Sequence, residues 1–455
     1  MGAHSRPFPP ILAYYCPMPP RKLYIETYGC QMNVADSELM FGVLGRAGYE
    51  RTDQPAEADV MLVNTCAVRD NAEQRVLGRV GELQRFKRPG GVLGVVGCMA
   101  QRLGPRLLEH SARVDLVAGP DAYRSLPELL SAAATGQRVS DTEFRGWEHY
   151  EDVPPVRDPG PSAFVTVQRG CDYKCTFCIV PYTRGPERSR SLGDVVREVA
   201  GLAGEGVSEV TLLGQTVNSY HDGTHDFADL LRAVGAVDGI RRLRFTSPYP
   251  ADFTDRVIAA MAQTPAVCEH VHLPVQSGSD AVLRRMLRRY TRAGYLSVVE
   301  RLRAAIPGIT FSTDIIVGFP GETEAQFQET LTLLAEADLD DAYTFRYSVR
   351  EGTPAVRLRD HVSDEIAAER LERLIEAVRA QARRKNAARV GDVQEVLVER
   401  PARRGGLMLG RTRRNHLVLL DLAPDTVGEY HDVRLTGTTG STFIGRIVAP
   451  ELATL

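Results

Sequence analysis

The sequence predicts an α/β protein of three domains in series: an N-terminal doubly wound parallel sheet, a central incomplete β/α barrel and a small C-terminal all-β barrel. Three observations carry this reading. Short apolar runs alternate with helical stretches from Arg21 onward, six more strand-like runs recur with helices between them from Ala163 to about Lys385, and after Lys385 such runs are separated only by glycine-containing turns. With 455 residues, 43% of them apolar and 25% charged, the chain has the length and composition for two or three globular domains, each with its own core.

Taken in order, residues 1–20 are proline-rich and aperiodic and read as a disordered leader, with Met18 as an alternative start. Residues 21–149 carry LYIETYGC, a helical stretch, ADVMLVNTC, a long polar helix and GVLGVVGC, the pattern of a parallel sheet with helices on both faces. Residues 150–162, with proline, glycine and charge but no apolar period, read as an interdomain linker. Residues 163–387 hold the six barrel strands, from FVTVQRG to DAYTFRYS, and the carboxyl ends of those strands are where a barrel places its active site. Residues 388–452 hold VQEVLVER, HLVLLD, YHDVRLTG and STFIGRIVA, the signature of a small barrel.

A net charge of −3 and a pI near 6.4 say nothing of nucleic acid globally, so such a partner has to be argued from local patches. Between Arg400 and His416 there are six arginines and no acid. Apolar stretches such as Val92–Ala100 are far shorter than the ~20 residues of a spanning helix, and no export signal opens the chain. A cytoplasmic protein with no membrane partner is expected. Eight cysteines in such a chain point to metal or redox chemistry rather than disulfides.

Cys171, Cys175 and Cys178 follow the first barrel strand at its catalytic end. Three thiolates on one loop can hold three corners of a 4Fe-4S cube and leave one iron open. A structural zinc site is the alternative, although no fourth Cys or His stands nearby in the sequence. The spacing, with Phe177 before the last cysteine, resembles the motif of radical S-adenosylmethionine enzymes, in which the cofactor chelates the open iron and is cleaved to a 5′-deoxyadenosyl radical. That resemblance implies that Gly214 and Gln215 meet the cofactor's amino group, and that His272, Gln276 and Gly318, ending later strands, reach its ribose and adenine. Turn chemistry is the alternative at each.

Cys30, Cys66 and Cys98 lie 36 and 32 residues apart, yet each ends a predicted strand of the first domain. Ligands of an open parallel sheet gather at that edge, so a second three-cysteine 4Fe-4S cluster is expected, with three buried small hydrophobes as the alternative. The neighbours Gln31, Asn33, Asn64 and Thr65 could donate to the cluster sulfurs or cap the following helices. Cys16 and Cys268 read as ordinary cysteines.

Seven phrases in order, YGCQMNVADSE, NTCAVRDNAE, GCMAQR, GCDYKCTFCIVPYTRG, LLGQTVNSY, HLPVQSGSD and DIIVGFPGET, resemble the methylthiotransferase family, and the likeness runs from about Arg21 to Ala449. IVPYTRG and GRTRRNHLV point to the branch that acts on isopentenylated adenosine beside the anticodon of tRNA. The resemblance implies two 4Fe-4S clusters, two S-adenosyl-L-methionine per product and a methylthio group placed on carbon 2 of the base, with an external one-electron donor such as flavodoxin or ferredoxin. It also implies a terminal TRAM-like domain that binds the tRNA anticodon loop, for which Arg411, Arg413 and Arg414 are the expected phosphate contacts. Sister reactions on threonylcarbamoyladenosine in tRNA or on a ribosomal-protein aspartate are the alternatives, and an electron-transfer protein is a remote one.

Overall fold

The structure is a computed structural model that describes residues 20–67, 70–403 and 405–448. The proline-rich leader up to residue 19, with Cys16, and the last residues of the chain lie outside the described residues.

The first domain runs β1 (Arg21–Tyr28), α1 (Gln31–Arg46), β2 (Tyr49–Arg51), β3 (Val60–Thr65), α2 (Asp70–Leu83), β4 (Val92–Gly97), α3 (Cys98–Leu103), α4 (Arg106–His110), β5 (Leu116–Ala118), α5 (Leu126–Ala134) and β6 (Val139–Asp141). Its strands form one parallel sheet in the order β2-β1-β3-β4-β5-β6. The alternation along β3 explains why both faces are covered. Val60 and Leu62 point into one core with Leu39, Met40 and Leu44 of α1 and Leu126 and Leu130 of α5. Met61 and Val63 point into the other with Val76 and Val80 of α2 and Met99 of α3. A continuous apolar strand buried on both sides is what a parallel sheet demands.

The second domain runs β7 (Ser162–Thr166), β8 (Gln168–Arg169), α6 (Val180–Arg184), β9 (Arg188–Ser189), α7 (Leu192–Gly204), β10 (Glu209–Leu213), α8 (Phe227–Gly235), β11 (Arg242–Phe245), α9 (Asp255–Gln263), β12 (His270–His272), α10 (Asp280–Arg285), α11 (Arg292–Ala305), β13 (Thr310–Val317), α12 (Glu324–Ala337), β14 (Asp341–Arg346) and α13 (Asp364–Ala388). β7, β10 and β11 form one parallel half and β12, β13 and β14 the other, joined by a parallel bridge between Leu243 and Val267. One continuous core lies beneath α7, α8, α9, α11 and α12. Six parallel strands make an incomplete barrel with a common carboxyl edge.

The third domain, β15 (Val393–Pro401), β16 (Met408–Thr412), β17 (Leu417–Leu420), β18 (Tyr430–Thr438) and β19 (Thr442–Ile447), closes as a barrel in the order β15-β16-β17-β19-β18 around Val396, Val418, Val433 and Phe443. It docks on the amino ends of the second domain's strands. Arg242, fully buried at the start of β11, donates to the carbonyls of Arg411 (2.7 Å) and Glu395 (2.9 Å), and Arg244 donates to the carbonyls of Thr412 (2.8 Å) and Arg413 (3.0 Å).

The linker expected over 150–162 is bound down on both sides: the Val156 amide donates to the Glu38 carbonyl at 2.9 Å, and Arg157 pairs with Glu38 of α1 and Glu198 of α7, so the segment straps both domains together. Of the arginine run, Arg411, Arg413 and Arg414 lie at the docking interface, while Arg400 and Arg403 are exposed. Arg413 pairs with Glu269 at 3.0 Å and donates to the carbonyls of Pro265 and Val267, and Arg411 pairs with Glu399 at 2.5 Å. The Arg414 guanidinium rests against Gly308. Paired guanidinium groups have little left to offer a phosphate: that of Arg413 staples the terminal barrel to the second domain, and that of Arg411 is held within the barrel by Glu399 and Asn415.

Candidate active site at the facing sheet edges

Cys30, Cys66 and Cys98 become neighbours through strand register. Tyr28 of β1 lies opposite Thr65 of β3, and Thr65 lies opposite Gly97 of β4, so the cysteines just beyond share one edge. Two glycines set the local chain path. Gly97 (φ +92°) and Gly170 (φ +77°) each precede a cysteine, and a Cβ there would come within 2.8 Å of the Thr65 carbonyl oxygen and 1.9 Å of the Pro186 carbonyl oxygen respectively. Only glycine fits both the conformation and the space. The hydrogen bond with Cys66, helped by the charge of Arg184 and opposed by burial, brings the Cys30 thiol down to about 6. Burial pushes the Cys98 thiol up while Arg184 draws it back.

Asn33 accepts from the Cys30 amide at 3.3 Å and donates to Asn64 Oδ1 and the Thr65 carbonyl, and Asn64 returns a bond to the Asn33 carbonyl at 2.7 Å. Thr65 Oγ1 donates to the Val96 carbonyl. These side chains lock the three cysteine loops to one another. Cys30 is the N-cap of α1, and Asn33, three residues on, closes the capping box by accepting from its amide.

Cys171, Cys175 and Cys178 share one loop after β8. Arg288 Nη1 donates to Cys175 Sγ at 3.3 Å, Thr216 Oγ1 reaches Cys171 Sγ at 3.9 Å, and the Cys178 amide bonds the Cys175 carbonyl. Tyr173 stacks on Tyr249 with ring centroids 3.9 Å apart, and Arg288 lies over the same Tyr249 ring. Burial pushes Cys171 up to about 11 and Cys178 up to about 12. Thiols so placed gain most from a positive ligand that takes up their charge. Among the described residues, no group of three or more His, Cys, Asp or Glu stands at the spacing of a single metal ion, either triad included.

Gly214, Gln215, Gln276 and Gly318 lie at or near this carboxyl edge, whereas His272 stands level with Ser312, the third residue of β13, toward the end where the terminal barrel docks. Gln215 keeps a buried Oε1 without a hydrogen-bond partner, an acceptor that suits an ammonium donor. Gly214 is packed so closely that a Cβ would meet Gln168 Oε1 at 2.7 Å. His272 bonds Ser312 at 2.9 Å and faces Asp314 at 3.3 Å, while Gln276 holds φ +69° and pairs with the end of β13. The Gly318 amide donates to Glu322 at 2.7 Å, and the buried Glu322–Arg370 pair holds that turn.

The two cysteine edges face each other across one interface. Ile179, next to Cys178, packs directly on Cys98 and Ala67, and Met32, two residues after Cys30, packs on Leu213 at the end of β10. Between them lies Asp36 of α1, fully buried and bonded to Arg169 Nη1 at 2.9 Å and Arg184 Nη2 at 2.7 Å. Burial works to raise its carboxyl, and the two guanidinium groups overcome this and hold it below the usual carboxylate range. Sequence reasoning missed Asp36, Arg169, Arg184, Thr216 and Arg288, although Asp36, Arg184 and Thr216 lie inside the quoted phrases within two helical turns of a cysteine or on the Gly-Gln turn.

Three family models match the chain: the uncharacterized protein family UPF0004 over residues 22–119, the radical SAM superfamily over 165–334 and the TRAM domain over 387–448. The tRNA-2-methylthio-N(6)-dimethylallyladenosine synthase of Porphyromonas gingivalis is 46% identical, covering 94% of this chain and 95% of its own. That of Alkalilimnicola ehrlichii is 44% identical, covering 94% and 97%. The chain belongs to the tRNA-2-methylthio-N(6)-dimethylallyladenosine synthase family.

Solved structures agree on the fold of this family member. The radical S-adenosylmethionine methyltransferase TsrM from Kitasatospora setae superposes with a TM-score of 0.56 at 15% identity, covering 74% of each chain. The cobalamin-dependent S-adenosylmethionine radical enzyme OxsB gives 0.52 at 13% identity, covering 79% of this chain and 56% of its own. As a radical SAM enzyme, the synthase-family chain uses S-adenosylmethionine and a 4Fe-4S cluster. No helix among the described residues is long and apolar enough to cross a membrane.

Proposed function

We propose that the protein adds a methylthio group to carbon 2 of N(6)-isopentenyladenosine beside the anticodon of tRNA, with Cys171, Cys175 and Cys178 holding the radical cluster and Cys30, Cys66 and Cys98 a second 4Fe-4S cluster. The observation that carries this reading is the pair of cysteine triads set on opposite sides of one buried interface, each triad at the carboxyl edge of a parallel sheet. When bound, the clusters and S-adenosylmethionine supply the radical that breaks an unactivated C–H bond, which acid–base side chains cannot do, and the sulfur that replaces the hydrogen.

The protein's own residues bind and orient. Gln215 offers its unpartnered acceptor to the cofactor's ammonium group. Arg288 donates to Cys175 and is itself held by Tyr290 and the Pro274 carbonyl, which keeps the cysteine loop in place. Asp36, with Arg169 and Arg184, fixes the separation of the triads. The electron comes from an external donor of the flavodoxin or ferredoxin class. RNA is held by the terminal barrel, where Arg434 and Arg446 are exposed and directly opposed on β18 and β19. Like charges so paired destabilise a sheet, and a phosphate bound between them removes that cost.

Anaerobically reconstituted protein, given reductant, S-adenosylmethionine and isopentenylated tRNA, should yield the methylthiolated nucleoside on nucleoside analysis. Preferential conversion of threonylcarbamoyladenosine-containing tRNA or of the ribosomal protein would assign the chain to a sister reaction.

A further inference from the structure

Resting on the second-cluster reading, we infer that Arg184, a residue of the radical domain, is the hydrogen-bond donor that sets the reduction potential of the cluster held by Cys30, Cys66 and Cys98. The polar neighbours from the cluster's own domain are committed elsewhere. Asn64 and Thr65 bond Asn33, the backbone and Ser37, and Asn33 meets the Cys30 sulfur only as an acceptor, its Oδ1 taking the thiol hydrogen at 3.4 Å, so none donates to a cysteine sulfur. Arg184 ends α6, whose first turn packs on α3 through Ile179 and Cys98, and it is 4% exposed. Its Nη2 is fixed by Asp36 at 2.7 Å, while Nη1 is buried without a hydrogen-bond partner. The guanidinium lies close enough for its charge to act on both Cys98 and Cys30. A buried N–H without an acceptor costs stability, and a sulfur-rich anion beside it supplies the acceptor.

Hydrogen bonds and positive charge at cluster sulfurs favour the reduced state. Asp36, itself held by Arg169, holds the fork, and the radical domain thereby tunes a cluster it does not ligate. Arg184 is on this account a positioning and potential-setting residue, separate from the ligands.

The test uses full-length protein carrying Cys171→Ala, Cys175→Ala and Cys178→Ala, so that only the second cluster reports. Four irons in this background establish the second-cluster reading, and their absence refutes that reading itself. Adding Arg184→Met should then shift the reduction equilibrium at least tenfold toward the oxidised cluster, about 59 mV for one electron, in an EPR-monitored titration. Arg184→Lys, which keeps the charge but loses the fork, should shift it less in the same direction, and it decides the matter should the methionine variant fail to hold iron. An unchanged potential in an iron-loaded variant overturns the inference. So does an equal shift of the radical cluster when Arg184→Met is placed in the Cys30/Cys66/Cys98→Ala background.

Discussion

Asp36→Asn removes one charge and almost no volume from the interface between the two cysteine triads. Asp36 is fully buried and accepts from Arg169 at 2.9 Å and Arg184 at 2.7 Å. Both partners are buried too, so neither guanidinium can turn to water once the carboxylate is lost. Breaking a buried ion pair by removing one partner costs roughly 3–5 kcal/mol, against a total stability of about 5–15 kcal/mol for a typical domain. The loss falls between the domains, because Asp36 belongs to the first and both arginines to the second. Chemical denaturation of full-length protein should therefore show an earlier midpoint for separation of the first domain. In turnover assays, 5′-deoxyadenosine formation should persist while methylthiolated product falls about tenfold or more, which corresponds to ~1.4 kcal/mol of lost positioning. A wild-type midpoint would refute the buried-charge reasoning. A parallel fall of both products would refute the positional one.

The remaining predictions address ligands, RNA and pH. Reconstituted protein should carry about eight irons and the Cys171/Cys175/Cys178→Ala triple about half, whereas Cys30→Ala, Cys66→Ala or Cys98→Ala should abolish methylthiolation yet leave cofactor cleavage, as iron assay and product analysis will show. The Arg434→Ala/Arg446→Ala double variant should weaken tRNA binding and flatten its log–log salt dependence by about one to two, while Arg413→Ala leaves that slope unchanged and loosens the terminal domain to proteolysis. Burial pushes His416 down to about 4, well below an ordinary imidazole, and neither of its ring nitrogens has a hydrogen-bond partner. The unfolded state then binds the extra proton first, so the stability this neutral ring contributes is complete above about pH 6.5 and is lost as pH falls toward 4, on the order of 3 kcal/mol. Hydrogen exchange of the terminal barrel should show that acid loss in the wild type and much less of it in His416→Asn.

The elements that repeat a period were legible in the sequence. β3 and β4 read as strands because a run such as Val60–Val63 must be buried on both faces, and the even spacing of strand and helix announced both parallel sheets. The gathering of Cys30, Cys66 and Cys98 was legible because each stands one or two residues beyond a strand of the same parallel sheet, and register brings those strand ends together. The arginines were not. Arg411 to Arg414 form a dense basic run in one dimension, but Glu269 and Glu399, far off or across a hairpin, neutralise two of them in three. Composition counts charges and cannot see their partners. Arg184 was hidden for the converse reason: it sits in a phrase belonging to one cysteine loop and reaches toward the other.

The terminal barrel grips the amino ends of strands whose carboxyl ends carry the chemistry. β13 spans eight residues, Thr310–Val317, and at about 3.3 Å per residue that is roughly 25 Å of stiff separation. Such a molecule behaves as a ruler. An RNA held on the terminal barrel, as proposed above, would have that length to cross before its base meets the carboxyl edge. A stem-loop cut too short to cross it would offer the right base and lose the second hold.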